Sequence, residues 1–302
     1  MRKAAKYFFY FILGAAISFI LLCNISSADA REVYSGANVY KPTIQRWEKA
    51  ITESSFNSTS WIWNMGVKDQ KHKNRQRDTI LMVPETSIPE DITLVVWFHG
   101  CGGFSQKTFS NRIIPQIEDI VDDGNSVAIA IPEMTWSTNT STRCGRQGQV
   151  WQKPGELEAY VEDLKEHLEI WALITHAQVL GTVRIIFVGH SAGGSAIMSA
   201  SKEGGLCRLE PEAVVWSDSS YGYWLDSAWN SCIKDTDTDL HILVRKWDKP
   251  HKSAERVMKN IRRSRDVPKA NVLYQPLDRK AWSHGRIGNS VFMLTDIFPP
   301  GC

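Results

Sequence analysis

From Asp78 onward, strand-like and helix-like segments alternate, and this alternation constrains the fold more than any other feature of the 302-residue chain. "TILMV" (Thr79 to Val83) reads as a strand and stops at Pro84. "ITLVVWFHG" (Ile92 to Gly100) is a near-continuous apolar run, the pattern of a strand covered on both faces. "SNRIIPQIEDIVDDG" (Ser110 to Gly124) opens on a capping serine and spaces Ile113, Ile114, Ile117, Ile120 and Val121 as a helix does. Its Pro115 falls near the first turn, where proline is tolerated, and Gly124 can end it. "SVAIAIPE" (Ser126 to Glu133) is a second buried strand.

The stretch Pro154 to His176 repeats Leu157, Tyr160, Val161, Leu164, Leu168 and Trp171 every three or four residues, with charges between, and predicts an amphipathic helix. "VRIIFVG" (Val183 to Gly189), "AVVWSD" (Ala213 to Asp218), "LHILVRK" (Leu240 to Lys246) and "NVLYQPL" (Asn271 to Leu277) are four more strands. Helical segments separate them, the clearest being "SAERVMKNIRRS" (Ser253 to Ser264). The expectation is an α/β fold: a mostly parallel central sheet with helices on both faces. In such sheets functional groups collect at the carboxyl ends of the strands. Those ends carry "HGCGG", "PEM", "GHSAG", "SDSSYG", "KWDKPH" and, after the last strand, "SHG".

The first thirty residues read as a leader. "MRKAAK" is basic, Tyr7 to Leu22 is uncharged and largely apolar, and "NISSADA" puts Ala28 and Ala30 at a small-residue cleavage site. The run is short of the ~20 apolar residues that span a bilayer. The expectation is an exported protein, secreted or periplasmic, starting near Arg31 and keeping no stable membrane span; an uncleaved anchor is the rival. A lipoprotein at Cys23 is disfavoured by bulky Leu22 before it. Residues 31–302 then form one domain. Its first part, 31–77, holds Trp47, Trp61 and Trp63 but no motif, and either supplies early antiparallel strands or wraps the domain.

The net charge of +2 does not point to nucleic acid. Export favours disulfides. Cys101, Cys144, Cys207, Cys232 and Cys302 follow the leader, an odd set, with Cys207–Cys232 and Cys101–Cys144 as candidate pairs and reduced, buried cysteines as the alternative. No Cys/His group has zinc-like spacing, and no Gly-x-Gly-x-x-Gly pattern occurs, so neither a metal nor a cofactor is expected.

"RIIFVGHSAGGSAIMSA" (Arg184 to Ala200) puts Ser191 between an apolar strand and a run of small residues. A sharp strand–turn–helix of this kind lifts a hydroxyl above the sheet and aims the N–H groups of the following helix at it. Gly189 and Gly193 leave room for the neighbouring strand and helix. Ser191 is therefore a candidate nucleophile.

With this motif and element order, Thr79 to Gly288 resembles the α/β-hydrolase superfamily. "HGCGG" looks like the oxyanion-hole loop of lipases and esterases, and "SDSSYGYWLDSAW" like a stretch in secreted bacterial members. The resemblance implies Ser–acid–His in chain order. The base is then His284 in "WSHGRIG", after the last strand, with His251 as rival. The acid is Asp248, just past "LHILVRK", or Asp218, one strand earlier; Asp248 is preferred. The oxyanion donors are the N–H of Ala192 and that of Cys101 or Gly102.

The expected activity is cleavage of a small-molecule or polymer-linked carboxylic ester through an acyl-enzyme. The alternatives are an amidase or peptidase acting on an envelope polymer, and a non-catalytic binding module on the same scaffold. Trp136, Trp216, Trp224, Trp229, Trp247 and Trp282 fall in or near strand-end loops, where they either line a cleft or pack the core.

Overall fold

The computed structural model describes residues 33–35, 58–69, 75–101, 112–134, 148, 151–263 and 269–298. The leader expected over 1–30 and the two end cysteines, Cys23 and Cys302, lie outside them. By internal contacts the chain divides into Met1–Glu32 and Val33–Cys302. Among the described residues no helix is long and apolar enough to cross a membrane.

Nine strands form one sheet in the order β1-β2-β3-β5-β4-β6-β7-β8-β9. They are β1 (Val33–Ser35), β2 (Ser58–Asp69), β3 (Arg75–Pro84), β4 (Asp91–Phe98), β5 (Val127–Pro132), β6 (Thr182–His190), β7 (Ala213–Ser217), β8 (Asp239–Arg245) and β9 (Asn271–Leu277). From β5 through β4, β6, β7 and β8 to β9 every pair is parallel. β3 runs antiparallel to β5 and to β2, and β1 lies parallel to β2. The motif-free stretch 31–77 thus supplies β1, β2 and the start of β3 at one edge, with β1 parallel to β2 and β2 antiparallel to β3.

The described helices are α1 (Ile114–Asp122), α2 (Glu156–His176), α3 (Gly194–Glu203), α4 (Gly205–Arg208), α5 (Trp224–Ser231), α6 (Lys249–Arg263), α7 (His284–Gly288) and α8 (Val291–Thr295). The strand residues alternate between two cores. Leu94, Val96, Phe98, Phe187, Val214 and Trp216 face α2, α3, α5 and α6. Val95, Trp97, Ile186, Val188 and Val215 face α1, α7 and α8. This is why β4 and β6 read as unbroken apolar runs, and it realises the expected sheet with helices on both faces. Each fully buried aliphatic side chain stabilises such a core by about 1.5–3 kcal/mol.

Element ends differ in places from the sequence reading. α1 begins at Ile114–Pro115, and Ser110, expected to cap it, lies outside the described residues. α6 begins at Lys249 rather than Ser253, directly after Asp248. Pro276 sits in β9, an edge strand, where a missing N–H costs no ladder bond on the open side.

Candidate active site

Because β4 to β9 are parallel, their carboxyl ends lie along one edge of the sheet. Ser191 follows β6 directly, at φ +56°. A side-chain-bearing residue in the left-handed region stores about 1–3 kcal/mol of strain and marks functional turns. The turn is a single 3-10 segment, Ser191–Gly193, which runs into α3. A Cβ on Gly193 would stand 2.0 Å from the Phe98 carbonyl oxygen of β4, and one on Gly189 2.7 Å from Ile197 Cδ1 of α3. These are the collisions expected with strand and helix. Ala192, whose N–H is the expected donor, is buried within the turn.

The "HGC" segment after β4 lies against this turn: a Cβ on Gly100 would be 3.0 Å from Ser191 Cβ. His99 is fully buried, and burial lowers its pKa to about 4. Its Nε2 accepts from the Met134 N–H at 3.1 Å. The proton therefore sits on Nδ1, which donates to the Gly100 carbonyl at 2.6 Å. In a trans peptide the C=O and the next N–H point opposite ways, so the Cys101 N–H is turned away from His99. Cys101 is disulfide-bonded, which removes the reduced-thiol alternative for it. Cys144, its expected partner, and Gly102, the second-choice donor, lie outside the described residues. The other expected pair, Cys207–Cys232, is bonded and ties α4 to the end of α5.

His284 opens α7, beyond β9, with Ser283 as a capping residue that accepts from the Arg286 N–H. Its Nδ1 lies 2.6 Å from Asp218 Oδ2. Asp218 is 1% exposed, the first residue past β7, and takes φ +47°. Its other oxygen, Oδ1, accepts from the Arg245 backbone N–H at 3.1 Å. A carboxylate held on both oxygens fixes the imidazole with its proton on Nδ1 and leaves Nε2 as the acceptor.

Asp248, the preferred acid, is not brought to His284. Its carboxylate pairs with the Arg245 guanidinium, and its carbonyl accepts from the Lys252 N–H at the start of α6. The preference for Asp248 is thus corrected in favour of Asp218 as the neighbour of His284. The reason is local: α6 starts four residues early and makes Asp248 the residue just before its first turn, beside Arg245. His251, the rival base, is buried on α6 with Nδ1 3.6 Å from Glu255.

Two residues escaped the sequence reading. Tyr221, in "SDSSYG", has its phenol hydrogen-bonded to the Ser191 side chain; burial and then the Asp218 charge hold its pKa above the ordinary phenol value. Arg112 stands at the start of α1 against His190. Tyr221 was signalled by its place in a strand-end loop; no sequence signal links Arg112 to a residue 78 positions away. The strand-end tryptophans divide. Trp216 is in the core, Trp229 is buried and Trp224 partly so, and Trp282 lies under the Arg286 guanidinium at 4.8 Å. Trp247 is 74% exposed and left-handed at φ +72°, at the rim just past β8. Trp136 lies outside the described residues. Among the described residues no His, Cys, Asp and Glu group suits a metal ion.

No protein-family model and no curated protein matches the chain. Solved structures do. A thermostable esterase is similar at a TM-score of 0.50 and 15% identity, over 81% of this chain and 60% of that one. A cold-adapted esterase from an Arctic intertidal metagenomic library is similar at 0.48 and 8%, over 82% and 96%. An S-formylglutathione hydrolase from Staphylococcus aureus is similar at 0.47 and 13%, over 80% and 97%. At these identities the likeness is one of fold.

Proposed function

We propose that this chain, which has the α/β-hydrolase fold, is an exported serine hydrolase that cleaves carboxylic esters through an acyl-enzyme on Ser191. The observation that carries the reading is the 2.6 Å His284–Asp218 pair on the same sheet edge as a left-handed serine. Esterases among the similar folds agree with it.

The chemistry follows from the residues. Ser191 Oγ attacks the ester carbonyl as His284 Nε2 takes its proton. Asp218 keeps the imidazole in the accepting tautomer and stabilises the imidazolium that forms. The oxygen that gains charge is held by the N–H groups of Ala192 and Cys101; each such donor is worth about 3–4 kcal/mol. The intermediate collapses, the C–O bond to the alcohol breaks, and His284 returns the proton to that alcohol. Water then repeats the cycle on the acyl-enzyme, with His284 as base, and frees the acid. Among the described residues, exposed Trp247 at the rim just past β8 offers an aromatic surface for the distal part of a small-molecule or polymer-linked ester.

A panel of activated esters of rising acyl length, with matched amides, tests the reading. Turnover of esters by the wild-type chain and loss of that turnover in Ser191→Ala is the expected result. Equal turnover in Ser191→Ala overturns it, and cleavage of amides in preference to esters favours the amidase reading.

A further inference from the structure

We propose that Arg112 and His190 form a clamp that positions His284, so that the residue preceding the nucleophile sets where the base stands. The inference rests on the hydrolase reading above and assigns to two further residues the work of holding its base.

His190 ends β6, next to Ser191, and is 2% exposed. Its Nδ1 lies 2.9 Å from Arg112 Nη1. A guanidinium only donates, so Nδ1 accepts and the ring proton is on Nε2. That Nε2–H donates to the backbone carbonyl of His284 at 3.2 Å. The two imidazoles lie 4.7 Å apart, tilted by 31°. Burial first, then the nearby charges of Arg112 and His284, keep the His190 pKa well below the ordinary imidazole value. His190 therefore stays neutral while its neighbour takes a proton.

The clamp extends along α7. Arg112 Nε donates to Asn289 Oδ1 at 2.8 Å. Gln116, one turn further along α1, donates to the Gly288 carbonyl at 3.1 Å and accepts from the Phe292 N–H at 3.3 Å. A Cβ on Gly288 would stand 2.5 Å from His190 Nε2, so glycine is required for α7 to lie on the ring.

His284 is thus held twice: its side chain by Asp218, its main chain by His190. An imidazole held by one hydrogen bond alone can swing about it. The second anchor fixes the main chain from which the ring projects, and the His190 ring 4.7 Å away bounds its swing; both belong to the residue before Ser191. One ring therefore sets the spacing between the backbones of nucleophile and base.

The test uses Arg112→Met, Arg112→Lys and His190→Phe in the full chain. kcat and KM are measured on an activated ester, together with Tm and the far-downfield proton resonance of the His284–Asp218 hydrogen bond. Met at 112 and Phe at 190 are expected to lower kcat by about 10- to 100-fold with KM within about twofold, as a displaced catalytic group does. The downfield resonance should weaken with them, and Lys at 112 should fall between. Two results overturn the clamp: kcat within about twofold of wild type in both variants, or losses that track a lowered Tm while the resonance is unchanged. A wild-type chain that hydrolyses no ester would instead sink the hydrolase reading, and the resonance comparison would still decide the clamp.

Discussion

Asp218 and Asp248 carry the same functional group, follow neighbouring strands, and differ in what their backbones do next. Asp218 takes a left-handed φ immediately after β7 and points its carboxylate at His284. Asp248 leads directly into α6, accepts from the Lys252 N–H and is paired with Arg245. The two replacements should therefore separate. Asp218→Asn is expected to lower kcat by about 10⁴-fold by favouring the wrong imidazole tautomer. Asp248→Asn should leave kcat within about tenfold of wild type. Steady-state kinetics on one activated ester compares them, and a larger loss in Asp248→Asn would return the acid to Asp248. This choice was not legible in the sequence, because both positions satisfy the same order rule. It is decided by the start of a helix, and local patterns place helix starts to within a few residues only.

At the scale of elements, β4 and β6 were legible because burial on both faces leaves an unbroken apolar run, and α2 because its stripe recurs at helical spacing. β1, at the edge, and β2 beside it were not, since a strand at or near the edge of a sheet need not bury both faces and so carries a weaker pattern. Neither was the α1–α7 contact through Arg112 and Gln116, whose partners are far apart in the chain. The Cys207–Cys232 bond is an element-scale staple: its ends are 25 residues apart, on α4 and after α5. Replacing both cysteines by alanine should cost about 3 kcal/mol of unfolding free energy, measured by urea denaturation. An unchanged unfolding midpoint would show that the helix contacts suffice without it.

For the whole molecule, buried histidines set the response to acid. His99 has a folded pKa of about 4 against an unfolded value near 6.5, held down by burial, and His190 is held down as well. Above pH 6.5 neither state protonates these rings, and the fold keeps its full stability. As pH falls from 6.5 towards 4 the unfolded chain takes up protons that the folded chain refuses, so stability falls. For His99 alone the shift corresponds to roughly 3 kcal/mol. Urea unfolding at pH 8 and pH 5 should show the decline, reduced in His99→Asn if that variant folds. A flat profile would mean that these rings are not buried neutral.

The central proposal is that Ser191 is activated by its surroundings. Labelling the folded wild-type protein with a fluorophosphonate probe and mapping the adduct by mass spectrometry tests it most directly. A single adduct on Ser191, lost on heat denaturation and in Ser191→Ala, is the predicted result. No adduct, or an adduct on another residue, would contradict it.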